Sequence, residues 1–240
     1  MKKHLATLAI LTAFIPQLHA QDDDFITRFG VKLAPNLSWT RADTRGTESD
    51  GNKIGFTFGL MMDFPIGPTG RYMLGSGIFM NNIGGSFTVN YSYKETPTGP
   101  TLTRPLSHDL NLRFIEVPLT IKMLTNEIGY MRYYAQMGIG TAFNVRARAD
   151  KEIPVLDASG LYTTGFQVLD NEDVMDDVNL LKVGVVIGGG LEYTFSGHTT
   201  LIAGVTYNSA FTNLLDNVSY NDQTQRLFAE YLELTLGIFF

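Results

Sequence analysis

No cysteine occurs anywhere in the 240 residues. A disulfide framework and thiolate chemistry are therefore both excluded, and stability must come from hydrogen bonding and packing. Histidine is scarce too: of four, His4 and His19 fall within the first twenty residues, leaving His108 and His198. Positive charge is in deficit, with 18 Lys and Arg against 24 Asp and Glu and a net charge of −6. Removing the first twenty residues removes Lys2 and Lys3 and no acid, so the balance becomes 16 − 24 = −8. A nucleic-acid partner is disfavoured by that sign. Beyond residue 20 no apolar run reaches the ~18 residues of a membrane-crossing helix, so only a closed β-barrel would cross a bilayer.

What the chain does have begins with an export signal. Lys2 and Lys3 form a basic start, Leu5 to Ile15 an apolar core, and Leu18-His19-Ala20 a small-residue end. This pattern predicts a signal peptide over residues 1–20, cleaved after Ala20, and a single domain over 21–240. The 24 glycines and 12% aromatics suit a β-rich protein.

The stretch Arg132 to Asp150, RYYAQMGIGTAFNVRARAD, alternates without a break. Tyr133, Ala135, Met137, Ile139, Thr141, Phe143, Val145, Ala147 and Ala149 share one face, and Arg132, Tyr134, Gln136, Gly138, Gly140, Ala142, Asn144, Arg146 and Arg148 the other. Period two over so many residues is a strand far longer than the roughly 5 to 6 residues of soluble sheets. The same pattern recurs at Thr27–Thr40, Ile54–Phe64, Tyr72–Tyr91, Leu110–Leu124, Asn179–Phe195, Thr199–Phe211 and Leu232–Phe240. A bulge is expected at Pro35, a register shift at Gly84-Gly85, and a bulge near Phe114 to bring Leu110, Leu112 and Phe114 into phase. Loops are expected at 41–53, 92–109, 150–178 and 212–226, alternating with short turns. The pattern predicts an all-β, eight-stranded, antiparallel up-and-down transmembrane β-barrel, its long loops outside the cell and its turns in the periplasm. Trp39, Phe56, Phe143 and Phe211, with Phe29, Phe64, Tyr133, Tyr193, Phe195 and Phe240, supply the two interfacial girdles.

A soluble lipocalin-like barrel shares the strand count but turns its apolar face inward. Here the charges lie opposite the apolar stripes, which predicts a lumen cluster of Lys32, Glu116, Lys122, Arg132, Lys182, Glu192 and Glu233, with Arg146 on the same face. Glycines on that face make room for long side chains.

Ser107-His108-Asp109 has the residue types of a triad, but consecutive strand residues point apart. No helix follows Gly188-Gly189-Gly190 to bind a phosphate. Asp170, Glu172, Asp173, Asp176 and Asp177 lack the ligand spacing of a calcium loop and read as a solvated loop. No catalytic, metal or cofactor site is expected.

The run Phe114-Ile115-Glu116-Val117-Pro118-Leu119 with Lys122 resembles the "LEIPLLLK" segment of the PorT-type outer membrane barrels (porin family proteins) of Bacteroidetes. Tyr134 to Gly140, Gly188 to Tyr193 and the terminal Leu236-Gly237-Ile238-Phe239-Phe240 are similar as well. The resemblance implies an outer membrane location and a non-enzymatic structural, assembly, secretion-accessory or surface-binding role. Some relatives serve type IX secretion and gliding, a role not carried over. It implies as partners the outer membrane lipid and the barrel assembly machinery, for which Leu236, Ile238 and Phe240 form the signal, with a protein partner at the outer loops. The alternative reading is an outer membrane enzyme acting on lipid or peptide at the extracellular rim, built from His108 or the acidic loop.

Overall fold

The computed structural model describes residues 27–156, 162–196, 199–216, 218–220 and 223–240. The signal segment 1–20 and the turn at Gly197 and His198 lie outside them. The strands are β1 (Arg28–Ala42), β2 (Thr47–Ile66), β3 (Tyr72–Tyr93), β4 (Leu102–Leu124), β5 (Met131–Leu156), β6 (Tyr162–Asp173), β7 (Leu181–Ser196), β8 (Thr199–Ala210), β9 (Ser219–Tyr220), β10 (Gln223–Thr224) and β11 (Leu227–Phe239).

Eight of them close a ring, β1-β2-β3-β4-β5-β7-β8-β11, every neighbour antiparallel. Closure is made by β11 on β1, from Gly30↔Phe239 to Ala42↔Leu227, so the ring has no free edge to leave backbone groups unpaired in hydrocarbon. Around the outside every ring strand contributes to one apolar belt, represented by Leu33, Leu60, Ile78, Leu119, Ile139, Ile187, Val205 and Leu234, all exposed. A continuous belt of that kind does not face water in a soluble protein, and a lipid bilayer is the solvent it fits.

The expected loops are shorter than the sequence pattern implies because the strands run on past the belt. β2 begins at Thr47, β3 and β4 remain paired to Tyr93↔Leu102, and β5 continues to Leu156 and folds back as β6. Proline obscured this in the sequence. Pro105 lies in β4 opposite Asn90, above the point where β4 joins β5 at His108↔Lys151, and there the missing N–H costs no second ladder.

Three expected irregularities fall elsewhere. Pro35 interrupts the β1–β11 pairing without shifting its register, since Leu33↔Leu236 and Asn36↔Glu233 keep step. The Gly84-Gly85 pair stays in register with β4, and β2 instead shifts twice against β3, between Ser49 and Gly51 and between Gly51 and Phe56. β4 has no phase change near Phe114; the bulge sits across from it in β5, where Arg113↔Arg146 is followed by Phe114↔Asn144 and Val145 is the extra residue. Val145 and Arg146 are consecutively exposed, and above them Ala147 and Ala149 turn inward.

The lumen is filled in three storeys. Towards the long-loop end Ile83, Phe87, Leu110, Leu112, Phe114 and Tyr231 pack with Val174, Val178, Leu214 and Leu215, which come from the loops and lie across that end. Towards the short-turn end Met61, Met73, Phe79, Tyr134, Ile202 and Phe239 form a second apolar cluster. Lys32, Glu116, Lys182 and Glu233 occupy the space between, while Arg28, Asp63, Lys122 and Glu192 interleave with the second cluster, Lys122 opposite Met73 and Glu192 opposite Ile202.

Candidate functional site

Towards the short-turn end, Lys122 Nζ lies 2.5 Å from Glu192 and 2.8 Å from Asp63. Arg28 brackets the same two carboxylates, 2.8 Å from each. Lys32 pairs with Glu233 at 2.5 Å and Lys182 with Glu116 at 3.4 Å. Glu116 also accepts the Tyr231 hydroxyl at 2.7 and 2.9 Å and the Asn81 amide at 3.1 Å, so its lone pairs are met by donors from three strands. Asn36, Thr57 and Asn81 continue the network by mutual hydrogen bonds of 2.9 to 3.2 Å.

The cations of this network are Arg28, Lys32, Lys122 and Lys182 and the anions Asp63, Glu116, Glu192 and Glu233, four against four. A sealed, low-dielectric interior tolerates charge only when it is paired and hydrogen-bonded, and here the sum is zero. Aromatic rings from the flanking apolar clusters complete the enclosure. Lys32 stands 4.5 Å above Phe79, Arg28 4.6 Å above Phe239, Lys122 4.7 Å above Tyr134 and Lys182 4.8 Å above Tyr231. The cavity left at the centre measures about 60 Å³, room for a few waters and no more.

Of the seven residues expected in the lumen cluster, Lys32, Glu116, Lys122, Lys182, Glu192 and Glu233 are brought together. Arg132 is not: it turns to Glu127 in the β4–β5 turn at 3.1 Å and is partly exposed at the rim. Arg146 and Arg148 are likewise not in the lumen, because the bulge at Val145 reverses the phase of β5 and puts both outside. Two members were missed. Asp63 sits on the inward face of the second alternating stretch and needed only a partner to be singled out; Arg28 stands at the very start of β1, where no periodicity had yet been established.

The exterior also carries a polar cluster that alternation did not reveal. Glu230 lies on the outward face of β11 and accepts hydrogen bonds from Arg41 (2.7 Å), Tyr207 (3.0 Å), Trp39 (3.1 Å) and Ser209 (3.3 Å). It ties β1, β11 and β8 together at the level of the girdle nearer the long loops.

Ser107 and Asp109 face outward while His108 is buried facing in, beside Phe87 with ring centroids 5.1 Å apart. The acidic stretch is divided among separate partners: Asp173 pairs with Arg148 at 3.3 Å and Asp177 with Lys151 at 2.7 Å. Among the described residues no group of three or more His, Cys, Asp and Glu is placed to hold a metal ion. Leu236, Ile238 and Phe240 lie along the outward stripe of the closing strand, and the Phe240 N–H donates to the Phe29 carbonyl at 2.9 Å.

A closed ring of eight antiparallel strands, apolar outside and charge-paired within, defines a transmembrane β-barrel protein. The chain matches the outer membrane protein beta-barrel domain over residues 20–192, well over half its length, and belongs to that family. Outer membrane localisation follows from the family. No curated protein sequence matches the chain. Among solved structures it is similar to the outer membrane protease OmpT of Escherichia coli (TM-score 0.52, 9% identity, 92% of this chain and 99% of that one). It is also similar to the Neisserial surface protein A (0.44, 14%, 88% and 95%) and to OprG of Pseudomonas aeruginosa (0.39, 9%, 88% and 95%). These likenesses are of fold.

Proposed function

We propose that the protein is a sealed, non-enzymatic outer membrane barrel of the PorT-like kind, whose work is done by the strand extensions that rise beyond the belt. The observation that carries this reading is the closed lumen, filled by charge-balanced ion pairs and two apolar clusters and leaving about 60 Å³. Such an interior passes no solute, so the barrel serves as an anchor and a platform. Its β3–β4 and β5–β6 hairpins stand together beyond the belt, where the Tyr93 and Tyr162 rings meet at a tilt with centroids 4.5 Å apart and Arg104 covers Phe166 at 3.8 Å. A firm, aromatic surface of this sort suits a protein partner better than a mobile loop does. In this reading residues 1–20 direct export with cleavage after Ala20, the outer membrane assembly machinery engages Leu236, Ile238 and Phe240, and the long-loop end faces outward.

Reconstitution into planar bilayers tests the sealed lumen: no stable ohmic steps are expected, and steps that persist after the hairpin tips are deleted would sink the reading. Protease added to intact cells tests the orientation, with cuts expected within 94–101. Cutting confined to Gly67–Arg71 would reverse it.

A further inference from the structure

On the barrel exterior, where the belt ends on the long-loop side, Arg113 of β4 stands directly opposite Arg146 of β5, with Arg148 opposite Asn111 one step beyond. Arg113 and Arg146 are both exposed. Like charges facing one another across two strands destabilise a sheet, and an anion seated between them would offset that repulsion.

Of the carboxylates nearby, Asp173 lines the same concavity but is already paired with Arg148, and the others are engaged elsewhere. Arg148 holds Asp173 at 3.3 Å, Lys53 holds Asp109 at 2.8 Å, and Asp150 accepts the backbone N–H of Asn171 at 2.7 Å. Among the described residues neither Arg113 nor Arg146 has a carboxylate within ion-pair distance.

These side chains are also held in place. The Asn82 amide donates to the Phe56 carbonyl at 3.2 Å and accepts from Arg113 Nε at 2.7 Å, leaving the two terminal nitrogens of that guanidinium for a ligand. Arg148 donates to the Asn171 carbonyl at 3.1 Å, and the bulge at Val145 fixes Arg146 on the same side. A concavity of about 460 Å³ joins the three arginines to Met80, Ile115 and Val145 of the apolar belt.

We propose that Arg113 and Arg146, beside the Arg148–Asp173 pair, bind the phosphate group of an outer-leaflet lipid, whose chains lie against Met80, Ile115 and Val145. Guanidinium groups chelate phosphate through paired N–H donors, and the contiguous apolar lining is what a soluble anion would not need. The assignment to the outer leaflet rests on the orientation given above.

The test uses the full barrel in nanodiscs of neutral phosphatidylcholine doped with phosphatidic acid, a phosphate monoester, with bound lipid counted by native mass spectrometry. Phosphatidic acid should be retained over phosphatidylcholine by at least about tenfold. The preference should vanish in the Arg113→Gln/Arg146→Gln double variant and fade at roughly 1 M salt. Arg71→Gln, exposed at the opposite end, should leave it unchanged, and heat-modifiable migration on gels establishes that each variant is folded. Equal retention of the two lipids by the native chain, or a preference unchanged in the double variant, would overturn the proposal. So would binding of inorganic phosphate as tight as that of the lipid, which would make the site one for a free anion. None of these outcomes touches conductance or protease access, so this inference and the reading it rests on fail separately.

Discussion

Lys122 and Glu192 meet at 2.5 Å with each side chain only 2% exposed, and with Arg28 and Asp63 they form a closed four-charge group. Removing one member of a buried pair leaves the other charged and unsolvated. Lys122→Met strands Asp63 and Glu192 with Arg28 alone and should cost about 3 to 5 kcal/mol. Pairing it with Glu192→Gln restores neutrality and should recover much of that loss. Urea titrations of folding into lipid vesicles measure both, and strict additivity of the two single changes would show that the pair is not coupled.

How legible the barrel was depends on which interaction set the phase of each strand. Along β7 and β11 the outward residues are large and apolar and the charged ones alternate with them, so period two was enough to place Lys182, Glu192 and Glu233 inside. It failed at Arg146 and Arg148 because Ala147 and Ala149 are small enough to suit either face, and a single bulge at Val145 then decides the side unseen. It failed differently at Leu110, Leu112 and Phe114, which are apolar yet inward, since a lumen sealed by hydrophobic packing at one end breaks the rule that apolar means lipid. The strand extensions were missed because residues 92–109 carry three prolines, Pro97, Pro100 and Pro105, and only the free side of β4 makes the last of these harmless.

The closing strand offers a test of which side is which. Leu234 is 49% exposed in the belt and Thr235 5% exposed in the lumen, where its hydroxyl donates to Glu233 at 3.3 Å. Leu234→Arg should cost roughly 2 to 4 kcal/mol in a bilayer and less in detergent micelles, because the charge is lost to hydrocarbon. Thr235→Arg adds a fifth cation to a balanced, filled interior, so its cost should be the same in both media. A medium-dependent cost for Thr235→Arg would mean that the faces of β11 are exchanged.

Ring closure ends at the Phe240 N–H bonded to the Phe29 carbonyl. Deleting Phe240 removes that bond and the aromatic end of the outward stripe, so assembly into vesicles bearing the purified assembly machinery should slow. Deleting Pro97 to Gly99 at the β3–β4 tip should leave the rate unchanged. Equal rates for all three proteins would remove Phe240 from the assembly signal.

Tyr134 lies against the cross-strand glycine pair Gly190↔Gly204, and a Cβ on Gly204 would fall 2.2 Å from its hydroxyl. Gly204→Val should therefore destabilise the barrel by about 1 to 3 kcal/mol through overpacking. The cost should shrink when Tyr134→Ala is added, and a double-mutant cycle without coupling would sever the two.

His108 provides the pH dependence. It lies beyond the belt, and burial, helped by the Lys151 ammonium, lowers its imidazole from 6.5 to about 4. The unfolded chain takes up this proton near the ordinary value and the folded chain only near the depressed one. The stabilisation is thus complete above about pH 6.5 and lost progressively as pH falls to about 4, a change on the order of 3 kcal/mol. Carboxylates titrate in the lower part of the same window, so the measurement is a difference: unfolding in urea from pH 7.5 to 4 for the native chain and for His108→Gln, whose side chain takes no proton. The native curve should fall away from the variant's as pH drops below 6.5, with opening first at the end closed by Val174, Val178, Leu214 and Leu215, where hydrogen exchange would locate it. Parallel curves would mean that His108 is protonated as readily folded as unfolded, and that the apolar storey above the ion pairs is open to water.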